Sequence, residues 1–456
     1  MECRMIQDQD RIQTYIVQII QQNPVLKNIF DKIYQDNGRV FIVGGTVRDF
    51  FLKKSGSDLD FEVYHISFYR LQQILSQFGP ISLVGKSFGV LRLHSLDADW
   101  STPRKDSSGR KPKIDLDPNM SFEQAFKRRD LTINAMGIDV KTFELIDPFG
   151  GLSDLKNKIL RSPDTDFFVQ DPLRLFRVMQ FAARFDMQPD SELNAVCKTM
   201  DISTISTERI DEEFKKLFLK SEKPSIGLRW LNTIDRFLEL FSELEFQEKG
   251  MDALDCLASS PFVPPVHSIA FGVGGTVFAK QKRIEGSSSN LKLSAMWGIF
   301  SCSLKNVSFL QNIDQPATKK DMLPFKNCIK KYVHASEVVD AGAMIAWYVH
   351  YIPQLKDPKD YKWLAHWIAK VCNLETLATI GSCLFSQKCI DNFITNAQLA
   401  GVLQEAEKPL LHGADLIHLC QGKKLGDLIK YAYETQLHDG IKDKEKLKSL
   451  MDKKIS

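Results

Sequence analysis

The run Arg39-Val40-Phe41-Ile42-Val43 is short, β-branched and aromatic, and it stops at Gly44-Gly45. Such a run reads as a buried strand, and two glycines let the backbone turn sharply and approach a ligand closely. Thr46 to Lys53 then reads as a helix, so its free N–H groups face whatever the turn holds. A triphosphate suits that position, because a helix N-terminus carries partial positive charge and Arg48 adds a full one within the first turn. A second strand follows. From Asp58 to Tyr64 the apolar Leu59, Phe61 and Val63 alternate with Asp58, Asp60 and Glu62, so the three acids share one face.

Two acids two residues apart on a strand lie roughly 7 Å apart along it. That spacing can serve a pair of Mg²⁺ ions about 4 Å apart, which clamp the attacking and leaving oxygens of a phosphoryl displacement. The plain alternative is an antiparallel strand with one wet acidic face. A lone Asp-x-Asp favours that plain alternative, but the ordered set of strand, Gly-Gly, Arg-bearing helix and Asp-x-Asp strand favours nucleotidyl transfer.

Gly44-Gly45-x-Val47-Arg48-Asp49 with Asp58-x-Asp60 resembles the signature of the template-independent RNA nucleotidyltransferases, the family of tRNA CCA-adding enzymes and bacterial poly(A) polymerases. Arg128-Arg129-Asp130-Leu131-Thr132-Ile133-Asn134-Ala135 resembles the family's second motif, and Asp147-Pro148-Phe149-Gly150-Gly151 the turn that follows. Asp171-Pro172-Leu173-Arg174-Leu175-Phe176-Arg177 resembles the base-recognition helix, and Glu208-Arg209-Ile210-x-x-Glu213 a later bracing helix.

The resemblance implies an α+β fold in which a small mixed β-sheet nucleotidyltransferase head precedes a long all-α neck, body and tail. It implies ATP and CTP as substrates, a tRNA or other RNA 3′ end as partner, and two Mg²⁺ ions on Asp58 and Asp60. Pyrophosphate leaves toward Gly44, Gly45 and Arg48. Arg129, Asp130 and Asn134 surround the ribose, and Arg177 reaches the triphosphate. Asp171 and Arg174 pair with the incoming base edge in place of a template, since Asp accepts from an exocyclic amine and Arg donates to ring nitrogen or carbonyl. Asp99 matches the third strand carboxylate, a general base for the RNA 3′-hydroxyl, with Glu62 and Asp97 competing for that role. One departure bears on selectivity: Gln170 stands where the family usually has Glu, so the acid that helps hold the arginine is replaced by a neutral amide.

On spacing alone, Asp171-Pro172 begins a capped helix with Leu173, Phe176, Met179 and Ala183 on one side and Arg174, Arg177 and Arg184 on another. Glu208 to Phe218 reads as an amphipathic brace with Ile210, Phe214, Leu217 and Phe218 inward. Residues 1–37 read as helical, 38–150 as the catalytic head, 151–221 as the neck, 222–320 as the body and 321–456 as a tail with RNA-binding lysines such as Lys423, Lys424 and Lys430, or simply a solvated helical face. Ser101 to Lys113 is polar and basic and reads as a loop, either solvated or holding RNA phosphates through Arg104, Lys105, Arg110, Lys111 and Lys113. Within the body, Leu291 to Ile299 has the apolar lead-in of a His-Asp phosphohydrolase module, but Gly298-Ile299 falls where the pair belongs and His267 is at most a relic ligand. A degenerate module is expected.

The chain of 456 residues is 43% hydrophobic and 26% charged, which describes globular units with real cores. A net charge of +3 leaves any RNA-binding surface local. The nine cysteines form no Cys-x-x-Cys pair, against a zinc site or a disulfide framework, and Cys383 and Cys389 are expected as buried thiols. No apolar run is long enough to span a bilayer, and a cytoplasmic location is expected. The rival readings are a poly(A) polymerase or A-adding enzyme with the same head, and a non-catalytic RNA-binding protein with a relic head.

Overall fold

The computed structural model describes residues 2–54, 59–84, 89–106, 114–260, 288–305, 320–354, 364–366, 368–369 and 372–455. The expectations for Asp58, His267, Arg110, Lys111 and Lys113 fall outside these residues. Two compact units emerge, one of residues 1–178 and 185–204, the other of 179–184 and 205–456.

The first unit opens with helices α1 (Glu2–Gln22) and α2 (Val25–Gln35). The chain then runs through β1 (Arg39–Val43), α3 (Gly45–Phe51), β2 (Leu59–Tyr64), α4 (Phe68–Leu75), β3 (Ile81–Val84), β4 (Val90–Leu93) and β5 (Ala98–Ser101). After β6 (Arg104–Asp106), β7 (Ile114–Leu116) and α5 (Phe122–Lys127) come β8 (Gly137–Asp139), β9 (Leu145–Ile146), α6 (Gly151–Asn157), α7 (Thr165–Phe168) and α8 (Arg174–Phe185). Seven strands form one mixed sheet in the order β3-β4-β5-β2-β1-β8-β9. Every neighbouring pair is antiparallel except β2 and β5, which run parallel with Asp60 opposite Asp99 and Phe61 opposite Trp100.

That register sorts the sheet into two chemistries. On one face Phe61 stacks on Trp100 at a centroid distance of 4.4 Å, and Phe30 from α2 meets Phe61 edge-on at 5.5 Å. All three rings are buried, and each contributes about 1.5–3 kcal/mol by leaving water. The opposite face carries Asp60, Glu62 and Asp99. Burial also changes along β2: Leu59 and Asp60 are half-exposed, whereas Phe61 to Tyr64 are covered.

The fold matches the expected α+β head with a helical remainder, with local differences. Ser101 to Lys113 is not all loop. β6 pairs antiparallel with β7, Arg104 opposite Leu116, because Ile114 and Leu116 flank Asp115 in a short alternating run. The base-recognition helix begins at Arg174, one turn later than its Asp171 cap signal, since Arg174 N–H still bonds the Asp171 carbonyl at 3.0 Å in a preceding turn.

In the second unit the brace is the helix Thr207–Lys220. Phe214, Leu217 and Phe218 point inward as expected, but Ile210 is only half-buried and Asp211 and Glu213 are covered instead. Asp211 accepts from the His334 backbone N–H at 3.2 Å and Glu213 from Lys216 at 2.7 Å, which offsets their burial. Phe214 meets Trp297, Phe218, Phe241 and Tyr332 in one aromatic cluster. Gly298 lies where helix Ser288–Ser301 crosses helix Ser336–Tyr348: a β carbon there would stand 2.6 Å from Ile345 Cγ2. Where a His-Asp phosphohydrolase module would carry its pair, the chain has a close-packing contact. Cys383 and Cys389 are half-buried, a correction to full burial; burial still pushes the Cys383 thiol up to about 12.

Candidate active site

The turn between β1 and α3 is built as the sequence demands. Gly44 has φ +69°, a left-handed conformation that side chains resist, and its N–H bonds the Met136 carbonyl of the neighbouring segment at 3.1 Å. The Thr46 hydroxyl accepts from the Asp60 N–H at 3.2 Å, which ties the turn to the acidic end of β2. Asp60 Oδ2 lies 3.8 Å from the point where a β carbon on Gly44 would stand. The glycine turn and the strand carboxylate are therefore neighbours.

Asp99 faces Asp60 from the adjacent parallel strand, and paired strands lie about 4.8 Å apart. Asp99 accepts from Arg92 Nε at 2.9 Å, and the same arginine reaches Asp97 at 3.3 Å. Sequence reading missed Arg92; the alternation of Val90-Leu91-Arg92-Leu93, with Leu91 and Leu93 buried, was its available signal. Asp97 is largely exposed at 78%. Glu62 is fully covered and committed: its carboxylate accepts from Arg129 Nη2 at 3.2 Å and from the Tyr64 hydroxyl at 3.1 Å. Of the three competing acids, Asp99 is the half-exposed one that shares a face with Asp60.

A chain of charged hydrogen bonds joins the other motifs. Arg48, buried against the Phe185 ring, donates to Asn134 Oδ1 at 2.5 Å and to Asp49 at 2.8 Å. Asn134 Nδ2 donates to Asp130 Oδ1 at 2.9 Å, and Arg177 donates to Asp130 Oδ2 at 2.7 Å through Nε. Burial alone would raise the Asp130 pKa. The Arg177 charge, the Asn134 hydrogen bond and the Arg174 charge outweigh it and hold the group down at about 2. Asp130 is thus a carboxylate at any physiological pH.

Asp147 accepts from the Gly151 and Leu152 N–H groups at 2.7 and 2.9 Å, capping α6. Gly151 is required there, because a β carbon would stand 2.2 Å from the Thr132 carbonyl oxygen. The Asp-Pro-Phe-Gly-Gly block thereby braces the segment that carries Asp130 and Asn134.

The model of the poly A polymerase head domain matches residues 40–161, which hold β1 to β9, the glycine turn, Asp60, Asp99 and the Arg129 to Asn134 block. Residues 40–161 are thus similar to the head domain of poly A polymerases. The Multifunctional CCA protein of Haemophilus ducreyi is 33% identical over 218 residues, 45% of this chain and 51% of that protein. The CCA-adding enzyme of Coxiella burnetii is 36% identical over 226 residues, 47% of this chain and 58% of that enzyme. The chain therefore spans about half the length of the curated relatives it matches.

Solved structures extend the likeness in fold. The Thermotoga maritima CCA-adding enzyme complexed with tRNA shares 18% identity at a TM-score of 0.61, covering 95% of each chain. A CCA-adding enzyme in complex with CTP shares 20% identity at a TM-score of 0.64, covering 96% of each.

The base-reading candidates sit at and just before the start of α8. Arg174 donates from Nη1 to the Phe167 carbonyl at 2.7 Å and from Nη2 to the Arg128 carbonyl at 2.6 Å. Asp171 Oδ1 accepts from the Leu173 N–H at 3.2 Å, so its carboxylate is fixed by the local turn. Gln170 donates to the Asp166 carbonyl at 3.3 Å. No described helix is long and apolar enough to cross a membrane.

Proposed function

We propose that this protein is a template-independent RNA nucleotidyltransferase that adds CMP, CMP and AMP to tRNA 3′ ends from CTP and ATP. The observation that carries the reading is the register of Asp60 opposite Asp99 beside the Gly44-Gly45 turn, within a poly A polymerase head. Relatives whose names state CCA addition, and similar folds solved with CTP, ATP and tRNA, support the choice of substrates.

A set of carboxylate oxygens on one strand face suits a hard divalent cation such as Mg²⁺. Asp58 and Asp60 would hold the ions, with Asp99 opposite. When bound, two such ions supply charge stabilisation to the attacking and leaving oxygens of the displacement. The 3′-hydroxyl of RNA attacks the α-phosphate, its proton passes toward Asp99 as general base, and pyrophosphate departs toward the Gly44-Gly45 turn. Arg48 stands behind that turn as fixed positive charge and orients Asn134. Arg129, Asp130 and Asn134 meet the ribose, with Arg177 locking Asp130 as a carboxylate on one side while facing the triphosphate.

Asp171 and Arg174 read the base edge. Two backbone carbonyls hold the Arg174 guanidinium, so the neutral Gln170 costs little of its orientation. This favours C and A discrimination over addition of A alone. The neck at 151–221, the body at 222–320 and the tail at 321–456 grip the tRNA acceptor arm by shape and phosphate contacts. Nucleoside triphosphates and tRNA meet in the cytoplasm, where the reading locates the protein.

Asp58→Ala and Asp60→Ala test the assignment. Each should abolish nucleotide incorporation and leave RNA binding largely intact, as read by primer extension and filter binding; full residual activity of either variant contradicts it.

A further inference from the structure

Glu62 stands two residues after Asp60 on the acidic face of β2 and has the chemistry of a metal ligand, yet its surroundings point elsewhere. It is 0% exposed, although a wet acidic face would leave it open. Both carboxylate oxygens are taken, Oε2 by Arg129 Nη2 at 3.2 Å and Oε1 by the Tyr64 hydroxyl at 3.1 Å. The far side of the Arg129 guanidinium lies over the Phe126 ring, 5.2 Å from its centroid. Arg129 is thus clamped between a buried acid and an aromatic face, and its Nη1 is the nitrogen directed at the turn.

That nitrogen lies 2.6 Å from where a β carbon on Gly44 would stand, and Asp60 Oδ2 lies 3.8 Å from the same point. The absence of a side chain at Gly44 is therefore what admits the Arg129 guanidinium to the glycine turn, beside the strand carboxylate. Burial pushes the Tyr64 hydroxyl far above its ordinary range, with Glu62 pushing the same way, so Tyr64 remains a donor.

We propose that Glu62 is a positioning residue, which with Tyr64 aims Arg129 across Gly44 at the bound nucleoside triphosphate and takes no part in holding metal. An ion pair in such a covered place fixes geometry, and losing one partner leaves the other charge uncompensated. The inference rests on reading the glycine turn and Asp60 as a nucleotide site.

A double-mutant cycle on CTP affinity, measured by equilibrium titration without RNA, tests it. Glu62→Gln should weaken CTP about tenfold in the wild-type background and by less than twofold in Arg129→Ala. Tyr64→Phe, a milder change that keeps the buried acid, should weaken CTP about two- to threefold and likewise lose its effect in Arg129→Ala. It decides the question if Glu62→Gln fails to fold. Effects that multiply with Arg129→Ala, or an unchanged CTP affinity in Tyr64→Phe and Glu62→Gln, overturn the proposal, since a merely structural acid would lower thermal stability without coupling to Arg129. Extension of tRNA by the wild type is scored separately. Coupled CTP binding with no extension overturns the enzyme reading and keeps Glu62 as positioner, while absence of CTP binding overturns both.

Discussion

The candidate site in the head and the aromatic centre of the C-terminal helical unit are built from different kinds of contact. In the head, Arg48, Asn134, Asp130 and Arg177 form a relay of charged hydrogen bonds in which each atom has one partner of fixed type. In the helical unit, Phe214, Phe218, Phe241, Trp297 and Tyr332 pack as a cluster that asks for apolar volume. A relay fails when one donor or acceptor changes, whereas a core tolerates swaps of similar volume.

The sharpest way to break the contrast is at Asp99. Asp99→Ala should slow single-turnover CMP incorporation by about a thousandfold, roughly 4 kcal/mol of barrier, with the urea midpoint little changed. A tenfold loss or less would return the base role to another group. The helical unit should answer in the opposite way. Phe214→Ala removes a ring from the centre of the aromatic cluster and should cost about 3–5 kcal/mol of stability by denaturant unfolding, while CTP affinity of the folded protein stays within twofold.

The relay also has a pH signature. Asp130 is held at about 2 against an ordinary 3.8, so its depressed pKa contributes stability that is fully present above pH 3.8 and is lost as pH falls through 2. The contribution is about 2 kcal/mol, from 1.36 kcal/mol per unit. The stability difference between wild type and Asp130→Asn should therefore shrink by about that amount between pH 5 and pH 2. The smallest effect is expected at Gln170. Because Arg174 is anchored by carbonyls, Gln170→Glu should change the CTP to ATP preference by only about two- to threefold, or ~0.5 kcal/mol, in competition assays; a tenfold change would make residue 170 part of the base reader.

Much of the head was legible because its signals are local. The strand before Gly44-Gly45, the helix after it and the alternation from Asp58 to Tyr64 all follow from adjacent residues. The parallel pairing of β2 with β5 is not local, so Asp99 opposite Asp60 could be suspected only from resemblance. Alternation placed Glu62 on the same face as Asp60 and was right about direction, but burial depends on Arg129 and Tyr64 closing over that end of the strand. For the same reason Asp211 and Glu213 were unexpected inside the brace: their partners, His334 and Lys216, come from elsewhere in the fold and from the next turn. Short pairing of β6 with β7 left too few residues for a period to register.

The most direct measurement supplies purified protein with tRNA lacking its 3′ CCA, with CTP and ATP given separately and together, and resolves the products by length. The account predicts two additions with CTP alone, and three additions ending in CCA when both are present. Unlimited A tails on varied RNAs, or no extension at all, would contradict it.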